Sequence, residues 1–185
     1  MRDDIILASA SPRRIEMFRD RGYDPRVIPA DISECLPFDM PPETAVMYLS
    51  LAKALHVASS QRGLIVAADT VVVYEGEIMG KPADEAEAFD VLSRLREQTH
   101  QVITGVCLID NAAEPAVKRC LYEVTDVTFG TYTDEELRAY VQTPEPYDKA
   151  GGYAIQETFG KYIDHIDGDL DNVIGFPMTR VESYL

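Results

Sequence analysis

The chain has 185 residues, 46% of them hydrophobic, which suits one domain or one core with two lobes. Its formal net charge of −15 repels polyanions and argues against a nucleic-acid polymer or an anionic membrane as the main partner. No apolar run reaches the roughly 18 residues a membrane-crossing helix needs, and Met1-Arg2-Asp3-Asp4 has neither the basic start nor the small-residue cleavage site of a secretory leader.

Short apolar runs alternate with helical patterns, so the class is α/β. Ile5 to Ala8 reads as a strand, and a helix is expected from Pro12 to about Arg21. Pro25 to Pro29 is a short extended piece, and Asp31 to Pro42 a polar, proline-rich loop. Glu43 to Ser60 carries Val46, Leu49, Ala52 and Leu55 at helical spacing and predicts a long helix. Leu64 to Ala68 reads as a buried strand that continues through Asp69-Thr70 to Tyr74, turns at Glu75-Gly76-Glu77 and returns at Ile78-Met79.

Asp84 with Glu87 caps a helix running to about Arg96, and Thr133 with Glu136 caps another to about Gln142. Between them, Gln101 to Ile109 and Lys118 to Phe129 look like an antiparallel hairpin, which predicts a mixed sheet rather than a strict βαβ fold. Pro144 to Gly152 reads as a loop, Tyr153 to Gln156 and Lys161 to Ile166 as extended, and a final helix starts near Pro177.

Neither GxGxxG after the first strand nor GxxxxGK[ST] occurs, so the common glycine-rich phosphate loops are missing. The three cysteines, Cys35, Cys107 and Cys120, form no CxxC pair and read as free thiols in a reducing compartment. His56, His100 and His165 are scattered and read as surface or core side chains rather than metal ligands.

Several segments could carry chemistry. In Ser9-Ala10-Ser11-Pro12-Arg13-Arg14, Ser11 suits an N-cap and Pro12 the first helical position. That sets Arg13 and Arg14 in the first turn, where cations oppose the helix dipole. Free N–H groups, hydroxyls and two arginines suit either a polyphosphate or a capped, solvated helix start. Asp69 interrupts an almost wholly apolar stretch, so it needs a metal, a cation or a hydrogen-bond network. Gly80-Lys81-Pro82 holds a lysine at a rigid corner, suited to a phosphate oxygen or simply an ordinary turn. Glu145 to Gln156 gathers acids, Lys149, adjacent glycines and an amide, either as a functional loop or as a surface ion pair of Asp148 with Lys149. Glu34 and Lys53 do not stand out, and their default is solvent exposure.

Together SASPRR (9–14), AADTVV (67–72), GKP (80–82), HQVITGV (100–106), EPYDKAGGYAIQ (145–156) and GD…NVIGFP (168–177) resemble the Maf family of nucleoside triphosphate pyrophosphatases, in order and across essentially the whole chain. The resemblance implies a single domain over residues 1–185 with a mixed, elongated α/β sheet flanked by helices. Its two lobes would enclose a cleft, as in inosine triphosphate pyrophosphatases. It implies hydrolysis of a nucleoside triphosphate to monophosphate and pyrophosphate with Mg²⁺ or Mn²⁺, a cytoplasmic location and a homodimer. Catalysis would fall to Asp69, Glu34 and Lys81, with the metal on Asp69 and Glu34. Substrate would meet Ser9, Arg13, Arg14, Lys53, Lys149 and Gln156.

SPRR, ADT and DKAGxYxIQ resemble the dTTP/UTP branch; the 7-methyl-GTP branch typically has a bulky residue in place of Arg13 and a different triplet. Glu157 departs from the glycine common in the family, and Asn172 to Pro177 is a variant ending. Two alternatives compete with pyrimidine hydrolysis: a non-catalytic nucleotide-binding regulator of septum formation, and a pyrophosphatase for modified purine nucleotides.

Overall fold

The computed structural model describes residues 4–185; the leader reading of Met1-Arg2-Asp3 falls outside them. In chain order the elements are β1 (Ile5–Leu7), α1 (Pro12–Asp20), β2 (Arg26–Val27), α2 (Pro42–Ala58), β3 (Leu64–Tyr74), β4 (Glu77–Met79), α3 (Glu85–Leu95), β5 (Thr99–Asp110), β6 (Val117–Phe129), α4 (Asp134–Val141), β7 (Ile163–Asp167), α5 (Leu170–Ile174) and α6 (Met178–Val181).

The strands form one seven-stranded sheet in the order β2-β1-β3-β5-β6-β7, with β4 paired to β3. β1 runs parallel to β2 and β3, while β4 on β3 and β7 on β6 are antiparallel, so the sheet is mixed, as the sequence predicts. Side-chain pairs Thr99–Thr128, Gln101–Asp126 and Cys107–Cys120 hold one antiparallel register along β5 and β6.

The chain divides into two compact units. The first comprises residues up to Asp69, Thr104–Glu123 and Gly175–Leu185; the second comprises Thr70–Ile103 and Val124–Ile174. In the first, Ile6, Ala8, Ala54, Val57, Ile65, Ala67, Cys107 and Ile109 make a core between α2 and the sheet. Gly105 is required there: a Cβ would lie 2.4 Å from the Val46 carbonyl carbon, so only glycine lets β5 lie directly on the α2 backbone. The second unit is built on aromatic rings, with Phe129, Tyr132, Tyr140, Tyr153 and Phe159 packed among Leu92, Leu95 and Leu137. Mutual edge contacts such as Phe129–Tyr153 and Tyr132–Phe159 hold these rings in register.

Both predicted caps form: Asp84 accepts from the Glu87 amide at 2.9 Å, and Thr133 with Glu136 makes the full reciprocal box. Four expectations need correction. Ser11 sits at the N-cap of α1 without a side-chain cap bond; the Ser9 hydroxyl accepts from the Ser11 amide instead. Leu55 is 51% exposed, because steps of three drift around a 3.6-residue helix. The chain at Ile155-Gln156 turns rather than extends, since the segment 145–162 coils through successive 3₁₀ turns. The short α5 carries no strong apolar period and was not predicted.

Candidate active site

β1 delivers the chain to Ser9, which is 8% exposed, and Pro12 opens α1 just beyond. The Ser9 hydroxyl accepts from the Ser11 amide at 3.2 Å and from Arg14 Nη1 at 3.3 Å. Arg14 also donates from Nη1 to the Ala68 carbonyl at 3.0 Å and from Nε to the Gly175 carbonyl at 2.8 Å. Phe18 of α1 packs edge-on against Phe176 with centroids 5.0 Å apart, which seats the segment presenting the Gly175 carbonyl. Desolvation lowers the Arg14 pKa; the Asp69 and Glu34 carboxylates pull it back up, and neighbouring Arg13 opposes them. A guanidinium stays charged through such a shift, and this one braces the Ser9 turn against β3. Arg13 is half-buried in the same first turn.

One residue past Ala68, Asp69 is 9% exposed, with two fully buried alanines before it. The cation its burial demands is Lys53. Lys53 Nζ donates to Asp69 Oδ1 at 2.6 Å and pairs with Glu34 Oε1 at 2.6 Å. The Lys53 and Asp69 side chains are each 12% exposed and that of Glu34 is 54% exposed, so the cluster runs from the interior outward. Lys53 reaches inward because it stands four residues after Leu49 and four before Val57, both buried on the core side of α2. The default of solvent exposure therefore fails for Lys53 and holds for Glu34, which is exposed though paired.

The other sequence candidates belong to the second unit. The Gly151 amide donates to the Gly80 carbonyl at 3.0 Å, tying the Gly80-Lys81-Pro82 corner to the glycine pair. Gly151 has φ +67 and a Cβ there would sit 2.9 Å from Val72, so the adjacent glycines serve a tight, left-handed approach. Lys81 and Gln156 are exposed. Lys149 is 5% exposed. Its ammonium donates to the Glu145 carbonyl at 2.7 Å and to Asp148 at 2.6 Å, and pairs with Glu157 at 3.0 Å. This is a buried lysine with three acceptors, not a surface pair. Glu157, the residue that departs from the family pattern, supplies one of them.

Asp69 and Glu34 are hard oxygen donors brought close enough to share one ammonium, which fits a divalent ion such as Mg²⁺ that keeps waters and takes one or two carboxylates plus substrate phosphates. Among the described residues no group of three or more His, Cys, Asp or Glu side chains is gathered for a metal, so substrate oxygens or water would have to complete its shell.

Sequence reasoning noted Asn172 only as the start of a variant ending and passed over Thr125. Asn172 is fully buried and donates from Nδ2 to the Val102 carbonyl at 2.9 Å and to the Thr125 hydroxyl at 3.0 Å.

A family profile described as "Maf-like protein" matches residues 4–185. A dTTP/UTP pyrophosphatase of Desulfitobacterium hafniense (strain Y51) is 43% identical over 98% of this chain and 83% of its own length. A dTTP/UTP pyrophosphatase of Bacillus thuringiensis subsp. konkukian is 44% identical over 96% of this chain and 91% of its own. Among solved structures, the Staphylococcus aureus Ham1 protein is 18% identical, with a TM-score of 0.45 over 68% of this chain and 71% of that one.

Proposed function

Because the chain belongs to the Maf-like protein family, we propose that it hydrolyses nucleoside triphosphates, dTTP and UTP foremost, between the α and β phosphates to give the monophosphate and pyrophosphate. The observation that carries the reading is the buried Asp69–Lys53 pair, with the exposed Glu34 on the same ammonium, beside the arginine-braced start of α1. It supplies what phosphoanhydride hydrolysis needs: a fixed carboxylate for the attacking water and cations for the phosphate charge. The names of relatives more than 40% identical along nearly the whole chain support the pyrimidine choice.

In this reading Asp69 orients the attacking water and takes its proton as the bond to the leaving pyrophosphate breaks. Lys53 holds Asp69 and Glu34 in place, and Arg14 fixes the turn that presents Ser9. Ser9, Arg13 and the amides of the first turn of α1 bind phosphate oxygens. Lys81, Lys149 and Gln156 are further proposed substrate contacts, Lys81 neutralising phosphate charge. A divalent Mg²⁺ or Mn²⁺ held by Asp69 and Glu34 would acidify a bound water and screen the phosphates. No helix of the described residues is long and apolar enough to cross a membrane. The proposed activity, nucleotide house-cleaning, belongs in the cytoplasm.

The test is a panel of dTTP, UTP, ITP, GTP and 7-methyl-GTP with Mg²⁺, Mn²⁺ or chelator, with products resolved. Monophosphate and pyrophosphate formed fastest from dTTP and UTP, and only with metal, is the expected result. Preference for ITP or 7-methyl-GTP would shift the reading to modified purines, and no turnover by folded protein would leave the regulator reading.

A further inference from the structure

Cys107 and Cys120 lie in the first unit on the hairpin of β5 and β6, outside the cluster just described. They face each other in the register shared by Thr99–Thr128 and Gln101–Asp126, and Cys120 Sγ lies 3.0 Å from Cys107 Sγ. A disulfide needs about 2.05 Å between sulfurs and Cβ atoms about 3.5–4.5 Å apart. Directly opposed residues of an antiparallel pair nearly meet the second requirement before any movement. Both are free thiols in this structure, and they differ in access: Cys107 is fully buried, while Cys120 is exposed.

We propose that this cross-strand dithiol is an oxidation site, closed reversibly by a small-molecule disulfide of the glutathione type. The exposed Cys120 loses its proton to solvent, and its thiolate attacks one sulfur of the oxidant, forming a mixed disulfide and releasing one glutathione thiolate, which picks up a proton. Cys107 then attacks Cys120 Sγ, giving up its own proton, and the second glutathione leaves as a thiol. The pair is oxidised by two electrons, and one oxidant molecule becomes two thiols.

The order follows from geometry: of the two, Cys120 is the one exposed to a bulky reagent, and Cys107 stands 3.0 Å from its sulfur. Burial, followed by the contact with Cys120, raises the Cys107 thiol pKa, which also makes it the second to react, while the Lys118 cation on the hairpin opposes the rise. Cys107 lies in the core that holds Ala54 and Val57 of α2, so the new bond would tie β6 to that core. Constraint of the unfolded chain would raise the melting temperature.

The experiment treats the reduced, full-length protein with oxidised glutathione and follows intact mass, free thiols and peptide maps, with Cys35→Ser and Cys120→Ser variants beside it. The expected result is loss of two hydrogens per chain, a fall from three titratable thiols to one, a peptide linked through 107 and 120, and a higher melting temperature reversed by dithiothreitol. Cys35→Ser should still close the bond, and Cys120→Ser, altered only at an exposed position, should not. A glutathione adduct on Cys120 that never resolves, a bond between chains, or three unreacted thiols in the wild type would each overturn the proposal.

Discussion

Lys53 and Asp69 form a 2.6 Å ion pair in which each side chain is only 12% exposed, joining a helix to the middle of a strand. A buried pair of this kind is weak evidence for stability as a whole, but removal of one partner is severe, because the other is left charged and dry. Lys53→Met should therefore destabilise the protein by about 3–5 kcal/mol, while Asp69→Asn, which leaves Lys53 paired with Glu34, should do far less. Denaturant melts of both variants check this, and equal small losses would mean that solvent reaches Asp69 freely.

Gly105→Ala tests how α2 is seated. Its Cβ would meet the Val46 backbone at 2.4 Å, where no flexible side chain can yield. The expected loss is about 1–3 kcal/mol, as for overpacking a core. A melting temperature equal to that of the wild type would show that β5 and α2 can separate without penalty.

His100 gives the pH dependence. It is 1% exposed, its Nε2 lies 2.5 Å from the Tyr153 hydroxyl, and burial pushes its pKa down to about 4 from 6.5. The folded chain keeps the ring neutral while the unfolded chain protonates it below pH 6.5. Stability is thus unaffected by this group above pH 6.5 and falls as the pH drops from 6.5 towards 4, by about 3 kcal/mol in all. His100→Gln should flatten the stability curve in that window, measured by urea midpoints from pH 7 to 4. An unchanged slope would assign the acid sensitivity to other groups.

In the proposed reading Glu157 sets the charge presented by Lys149, one of the proposed substrate contacts. It is one of three acceptors on Lys149 and is partly exposed, so Glu157→Gly removes a negative charge without opening the core. The expected effect is a KM for dTTP lower by up to about fivefold, the size of one ion pair with a partly exposed partner, with kcat little changed. A rise in KM would mean that the carboxylate itself contacts the substrate.

Much of this fold was legible from local pattern. The run Ile5 to Ala8, the apolar stretch around Asp69 and the two helix caps at Asp84 and Thr133 each state their own structure within a few residues. Asp69 was legible as a site because its burial demanded a partner, yet the partner was not: Lys53 is sixteen residues away on another element. Its place on the row of Leu49 and Val57 was obscured by a stripe read through Leu55. Glu34, on a loop without period, came only through family likeness. The segment 145–162 was harder still, since its 3₁₀ turns answer to Gly151 against Val72 and to Lys149 against Glu157, contacts that no local spacing announces.

The most direct test of the central claim is turnover of dTTP by wild type and Asp69→Asn, with saturating Mg²⁺ or Mn²⁺ and products separated. The wild type should give dTMP and pyrophosphate, and a folded Asp69→Asn protein should show a kcat lower by about 10²–10⁴-fold. Near-native turnover by that variant would contradict the claim and move the chemistry away from the Asp69–Lys53–Glu34 cluster.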